Sequence, residues 1–130
     1  MLKFRLPVAP PLNNAYANVR GRGRTKTARH RAWVRDADAY YVTQGLGHAE
    51  KITVPYVCRM IFPRSLRGDL DGRAKHILDW MVSRNLTIDD RYCWGLYLDK
   101  EVGDLGGIVR IEVLPHAGST QLKSGKRVRC

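Results

Sequence analysis

Apolar and polar residues alternate from the start of the chain, with Leu2, Phe4 and Leu6 set against Lys3 and Arg5. A period of two places the apolar side chains on one face of a half-buried strand. Pro7, Pro10 and Pro11 then stop it. Asn13 to Lys26 shows no period and reads as a loop containing Arg20-Gly-Arg-Gly-Arg24. From Thr27 to Val42 the spacing becomes helical. Thr25 or Thr27 would cap the helix, Trp33, Ala37, Tyr40 and Tyr41 would face inward, and Gly45 or Gly47 would end it. Lys51 to Phe62 reads as a long strand with Ile52, Val54, Tyr56, Cys58, Met60 and Phe62 on one face. Pro55 within it predicts an edge position or a bulge. After the turn Pro63 to Gly68, Asp71 is expected to N-cap a second helix to about Asn85, burying Ala74, Ile77, Leu78, Met81 and Val82. Arg91 to Leu98 follows as a strand with Trp94, Leu96 and Leu98 aligned. The Gly103 to Gly107 turn would make a hairpin with Ile108 to Leu114.

The order β-α-β-α-β-β predicts an α+β domain over residues 1–116, with two main helices packed on a mixed sheet of about four strands. Residues 117–130, rich in Lys and Arg, are expected to be a disordered tail that supplies phosphate contacts. A chain of 130 residues supports one core. No apolar run is long enough to span a membrane, and the N-terminus lacks the apolar stretch of a signal peptide. Cys58, Cys93 and Cys130 are odd in number and scattered, as are His30, His48, His76 and His116. That pattern predicts reduced thiols in the cytoplasm, without a disulfide framework or zinc site.

Charge is unevenly distributed. The formal net charge is +11, yet residues 69–104 hold eight acids against five bases. A basic body attracts a polyanion such as nucleic acid, and an acidic centre within it can hold a cation. The centre begins at Asp69-Leu-Asp71-Gly-Arg-Ala-Lys75-His-Ile-Leu-Asp79 and continues at Asp89-Asp90. Asp71, Lys75 and Asp79 recur every four residues, on the helical face opposite the apolar stripe. Two carboxylates about 4 Å apart repel by roughly 4 kcal/mol at an effective dielectric near 20. A converging set therefore needs a proton, a cationic neighbour or a divalent metal. Oxygen ligands without His or Cys select Mg²⁺ or Mn²⁺. Spacing alone leaves ordinary readings open: a helix cap at Asp71, a surface ion pair at Lys75–Asp79, and a solvated turn at Asp89-Asp90. A calcium loop is excluded, because its glycine would be the sixth residue and here Gly72 is the fourth. The Asp/Glu-x-Lys nuclease pattern is also absent, since Arg73 and Leu98 stand where acids would precede Lys75 and Lys100.

These residues, with Lys100, resemble the RusA-type Holliday junction resolvases, small endonucleases often encoded by phages or prophages. Pro10-Pro11-Leu-Asn13-Asn14-x-Tyr16, the Arg/Gly loop and the Tyr/Trp-bearing helix are similar as well, so the likeness covers roughly residues 5–115. It departs at Gly72, where the family has asparagine. The resemblance implies that Asp69, Asp71 and Asp90 are catalytic, metal-binding carboxylates, with Asp89 and Asp79 as further candidates. It implies that Lys75 orients a phosphate or offsets transition-state charge, and that a homodimer nicks two strands of a four-way DNA junction. A Mg²⁺ site of this kind activates water for in-line attack on phosphorus, leaving a 3′-hydroxyl and a 5′-phosphate.

Arg20, Arg22, Arg24, Lys26 and Arg29, with Arg31, give the first loop and helix a dense positive charge suited to phosphate contact. Arg64, Arg67 and Lys100 are the corresponding candidates beside the acids. Gly21-x-Gly23 lacks a third glycine in register, so no nucleotide cofactor is expected. The expected function is resolution of branched DNA in a bacterial or phage setting. The alternative is a non-catalytic branched-DNA or RNA binding protein whose acids are solvated, or a relative whose catalysis Gly72 has weakened in favour of binding.

Overall fold

The computed structural model describes residues 2–10, 16–19, 23–26, 28–45, 51–68, 70–101, 107–116 and 126–128. The alternating start forms strand β1 (Leu2–Pro7). It is followed by a hairpin of β2 (Tyr16–Val19) and β3 (Gly23–Lys26) and by helix α1 (Ala28–Thr43). Then come β4 (Tyr56–Phe62), α2 (Leu70–Ser83), a 3₁₀ turn at Asp90–Tyr92, β5 (Cys93–Lys100), β6 (Ile108–Pro115) and β7 (Lys126–Val128). The architecture is α+β. The four expected strands form the body of a five-stranded mixed sheet in the order β1-β6-β4-β5-β7. β4 and β5 are parallel and joined by α2, and every other pair in the sheet is antiparallel. Parallel neighbours need such a crossover, because a tight turn cannot reverse the chain twice.

One face of this sheet makes the core. Leu2, Phe4 and Leu6 of β1, Tyr56, Cys58, Met60 and Phe62 of β4, Leu96 and Leu98 of β5, and Val109, Ile111 and Val113 of β6 are buried with the inner faces of both helices. Phe4, Tyr41 and Trp80 meet there with ring centroids 5.4–5.9 Å apart, so β1, α1 and α2 share one aromatic cluster. Asp38 of α1 accepts the Trp80 indole N–H at 2.8 Å and pairs with Arg84, which satisfies the ring's polar edge beside the core. The Trp33 indole donates to the Pro7 carbonyl at 3.0 Å and fixes α1 to the end of β1. On the outer sheet face Arg59 lies between Asp99 at 3.4 Å and Glu112 at 3.9 Å. β1 is an edge strand, and the Gln44 side chain covers it: its amide donates to the Arg5 carbonyl and its oxygen accepts the Arg5 N–H, both at 2.7 Å.

Five expectations are corrected. The Arg/Gly segment is partly the β2–β3 hairpin, which takes in Arg24 and Lys26, rather than loop throughout. β4 is central, so Pro55 marks the strand's start and not an edge; the predicted irregularity lies next to it, at Tyr56/Val57. β5 and β6 do not pair, because β4 stands between them. Crossing one strand needs about 10 Å, well within reach of the residues after Lys100. Helix α1 buries His30 and leaves Tyr40 half-buried, and α2 buries Gly72, His76 and Trp80 while Val82 is half-buried. Within the tail, Lys126–Val128 pairs with Leu96–Leu98 where disorder was expected. Thr27, Gly47 and residues 117–125 lie outside the described residues.

Helix α2 stops for a local reason. Asn85 adopts φ +62°, its N–H donates to the Val82 carbonyl at 3.1 Å, and the Leu86 N–H donates to the Met81 carbonyl at 2.9 Å. This is a Schellman ending, with buried Leu86 as its apolar lock. It turns the chain toward Thr87, which bridges Ile52, and so delivers Asp89 and Asp90 ahead of β5. Cys58 and Cys93 are buried and form no disulfide. Among the described residues no helix is long and apolar enough to cross a membrane.

Candidate active site

Helix α2 carries Asp71, Lys75 and Asp79 on one exposed stripe, because the opposite stripe is held against the sheet by Ala74, Ile77, Leu78 and Met81. Successive members stand about 6 Å apart along the axis. Asp71 sits inside the first turn rather than at the expected N-cap, where its charge favours the positive end of the helix dipole. Asp69 lies outside the described residues, as do Arg20 and Arg22.

The turn before α2 is stapled from two sides. The Lys100 ammonium donates to the Leu66 carbonyl at 2.8 Å. The Arg73 guanidinium donates to the Ala9 carbonyl at 2.6 Å and to the Arg67 carbonyl at 3.4 Å. One donor of Lys100 is thus committed to the chain, leaving two for a phosphate. Arg64 and Arg67 are exposed on the stapled turn. Arg29 is exposed on α1 and lines a cleft with Asp36, Arg73, Trp33 and Pro7–Pro10, which includes none of Asp71, Asp79, Asp89 and Asp90. The turn-fixing role of Arg73 had no signal in the sequence, since its partners are main-chain carbonyls, one six residues away and the other 64.

Asp89 and Asp90 form a coupled pair. Asp89 caps the 3₁₀ turn by accepting the Arg91 N–H at 3.1 Å, with the Arg91 guanidinium 3.5 Å from its other oxygen. That main-chain hydrogen bond, helped by a hydrogen bond from the Asp90 carboxyl, holds Asp89 below the usual carboxylate range. Asp90 moves the other way. The hydrogen bond to Asp89 raises it first, then partial burial and the Asp89 charge, while the Lys75 charge opposes the rise. The two carboxyls therefore titrate as a linked pair, Asp89 losing its proton before Asp90, and the fold brings Lys75 of α2 within electrostatic reach of them. Sequence spacing put Lys75 and Asp90 in the same region, and the packing of α2 beside the 3₁₀ turn makes them neighbours.

The donors fit a hard divalent cation in kind, being carboxylate oxygens whose mutual repulsion a cation would relieve. In number they are incomplete: among the described residues no three His, Cys, Asp or Glu side chains come close enough to hold a metal. Asp71 and Asp79 flank Lys75 on the helix without joining Asp89 and Asp90 in such a group.

No known protein family matches the chain, and no curated protein is detectably similar to it.

Proposed function

We propose that this protein is a divalent-metal-dependent endonuclease that nicks branched DNA, acting as a homodimer on four-way junctions as its likeness to the RusA-type resolvases implies. The observation that carries this reading is the coupled Asp89–Asp90 carboxyl pair with Lys75 beside it, set in a protein of net charge +11. Asp69, Asp71 and Asp90 would hold Mg²⁺ or Mn²⁺, with Asp89 or Asp79 in support. When bound, the cation supplies Lewis acidity and lowers the pKa of a coordinated water. Lys75 holds positive charge where the phosphate gains negative charge in the transition state. Arg64 and Arg67, on the turn stapled by Lys100 and Arg73, bind flanking phosphates, and Arg24, Lys26 and Arg29 extend the track.

The test is nicking of a synthetic four-way junction against linear duplex, with and without Mg²⁺. Wild type should nick the junction only with metal, while Asp71→Asn and Asp90→Asn should bind it uncut. Equal cutting by wild type and both variants would sink the assignment.

A second reading has its own support. Asp89 already has a structural task as a cap, and the described residues lack a third metal-binding side chain near the pair. A non-catalytic binder of branched nucleic acid would show salt-dependent binding and no change in thermal stability with Mg²⁺. Gly72 bears on a third. It is buried in α2, so Gly72→Asn must find room against the body of the protein; an increase in cutting would show that the glycine had weakened the site.

A further inference from the structure

β5 begins with an irregularity that changes what its first aromatic residue can do. Tyr56 pairs with Cys93, but the next residue, Val57, pairs with Gly95, so Trp94 has no opposite number in β4. An extra residue in one strand bends it and re-aims a side chain. Trp94 is accordingly turned out, 53% exposed, whereas Leu96 and Leu98, expected to share its face, are 3% exposed. Gly95 allows the sheet to close beside it: a Cβ there would stand 3.0 Å from a Val57 methyl. The indole meets His116 nearly edge-on, with centroids 5.0 Å apart at 70°. His116 is in turn fixed by its N–H to the Pro55 carbonyl at 2.9 Å.

A large ring held in place by His116 yet left half in water presents an ordered aromatic surface that a ligand can meet without first fixing its orientation. Its setting identifies the chemistry of an occupant. Trp94 stands four positions after Asp90, which limits the distance between them to roughly 14 Å along the chain. Arg91 lies between, its guanidinium 5.8 Å from the Tyr92 ring centroid. An exposed aromatic ring three residues on from Arg91, on a protein of net charge +11, suits a base attached to a phosphate backbone.

We propose that Trp94, braced by His116, is a stacking platform for an unpaired nucleobase of DNA bound at the acidic pair. Duplex bases are already stacked, so the platform favours strands whose bases are splayed, as at a branch point. This rests on the nucleic-acid reading above, and the test separates the two.

Binding is measured by fluorescence anisotropy without divalent metal, using labelled single-stranded oligothymidylate, linear duplex and a four-way junction. Trp33 and Trp80 are buried, so quenching of indole emission by oligothymidylate reports Trp94. Trp94→Ala should weaken oligothymidylate binding roughly tenfold and leave duplex binding unchanged, while Trp94→Phe, which keeps a stacking face, should stay near wild type. Wild-type affinity for oligothymidylate in Trp94→Ala would overturn this proposal alone. So would a shift of Trp94→Ala in size-exclusion elution, which would make Trp94 a contact between copies. No binding of any of the three nucleic acids by wild type would overturn both readings.

Discussion

Replacing Asp90 with Asn should stabilise the metal-free protein near pH 7. The hydrogen bond to Asp89, then partial burial and the Asp89 charge, raise Asp90 above the usual carboxylate value, and the attraction of Lys75 does not offset this. A group whose folded pKa is raised costs stability when ionised. The penalty is absent below the unfolded value near pH 4 and complete once pH exceeds the folded value. The bare repulsion of two carboxylates, roughly 4 kcal/mol at an effective dielectric of about 20, is an upper limit. The pair sits at the surface, so screening and the Lys75 charge reduce it to about 0.5–1 kcal/mol. Asn keeps the shape and an N–H for Asp89 while removing the charge. Thermal melts followed by circular dichroism at low salt should then show Asp90→Asn melting about 2–4 °C above wild type at pH 7. At pH 4 and below the difference should vanish. Adding Mg²⁺ or Mn²⁺ should raise the wild-type Tm and move the variant much less, because cation and proton compete for the same oxygens. A lower Tm for Asp90→Asn at pH 7, or an equal gain at both pH values, would refute this account of the pair.

Three further outcomes follow from particular contacts. Trp80→Ala removes the ring shared by β1, α1 and α2 and should cost about 3–5 kcal/mol in urea unfolding, whereas Trp80→Phe, losing the bond to Asp38, should cost less. Asn85→Gly should be neutral or slightly stabilising and Asn85→Val should cost at least about 1 kcal/mol, since φ is +62° there; equal stabilities would count against the left-handed cap. Lys75→Ala should raise the pKa of Asp90 further, visible as a carboxyl resonance titrating at higher pH, and abolish junction nicking while keeping much of the binding; an unmoved resonance would separate Lys75 from the pair.

Elements whose burial follows one clean period were legible in the sequence. β1, α1 and α2 were, because Leu2-Phe4-Leu6, Trp33-Ala37-Tyr41 and Ala74-Ile77-Leu78-Met81 each repeat on one face. Periodicity does not say which strand sits beside which, so a β5–β6 hairpin looked as good locally as the crossover around β4. Nor does it reveal a bulge: Trp94 fits the alternation of Leu96 and Leu98 until the register with β4 slips. His30 and His76 escaped the core prediction because imidazoles rank as polar, although their rings lie 4.9 Å apart, both buried. For the candidate site, the stripe of Asp71, Lys75 and Asp79 was readable from its spacing of four. The meeting of Lys75 with Asp90 was not, since it depends on where the Schellman ending sends the chain. The opposite shifts of Asp89 and Asp90 likewise need the cap on Arg91, a matter of backbone geometry.

The Gln44 contact with Arg5 has a consequence for life in a crowded cell. A glutamine side chain ends in the same amide that links residues of the main chain, and here it acts as a single borrowed peptide unit laid against the open side of β1. A neighbouring molecule seeking to extend the sheet from that side meets a middle rung already occupied. It would have to evict two hydrogen bonds before forming its own. One helix-terminal side chain therefore works as a chain stopper, discouraging edge-to-edge growth into fibrils without adding a charge to the strand edge.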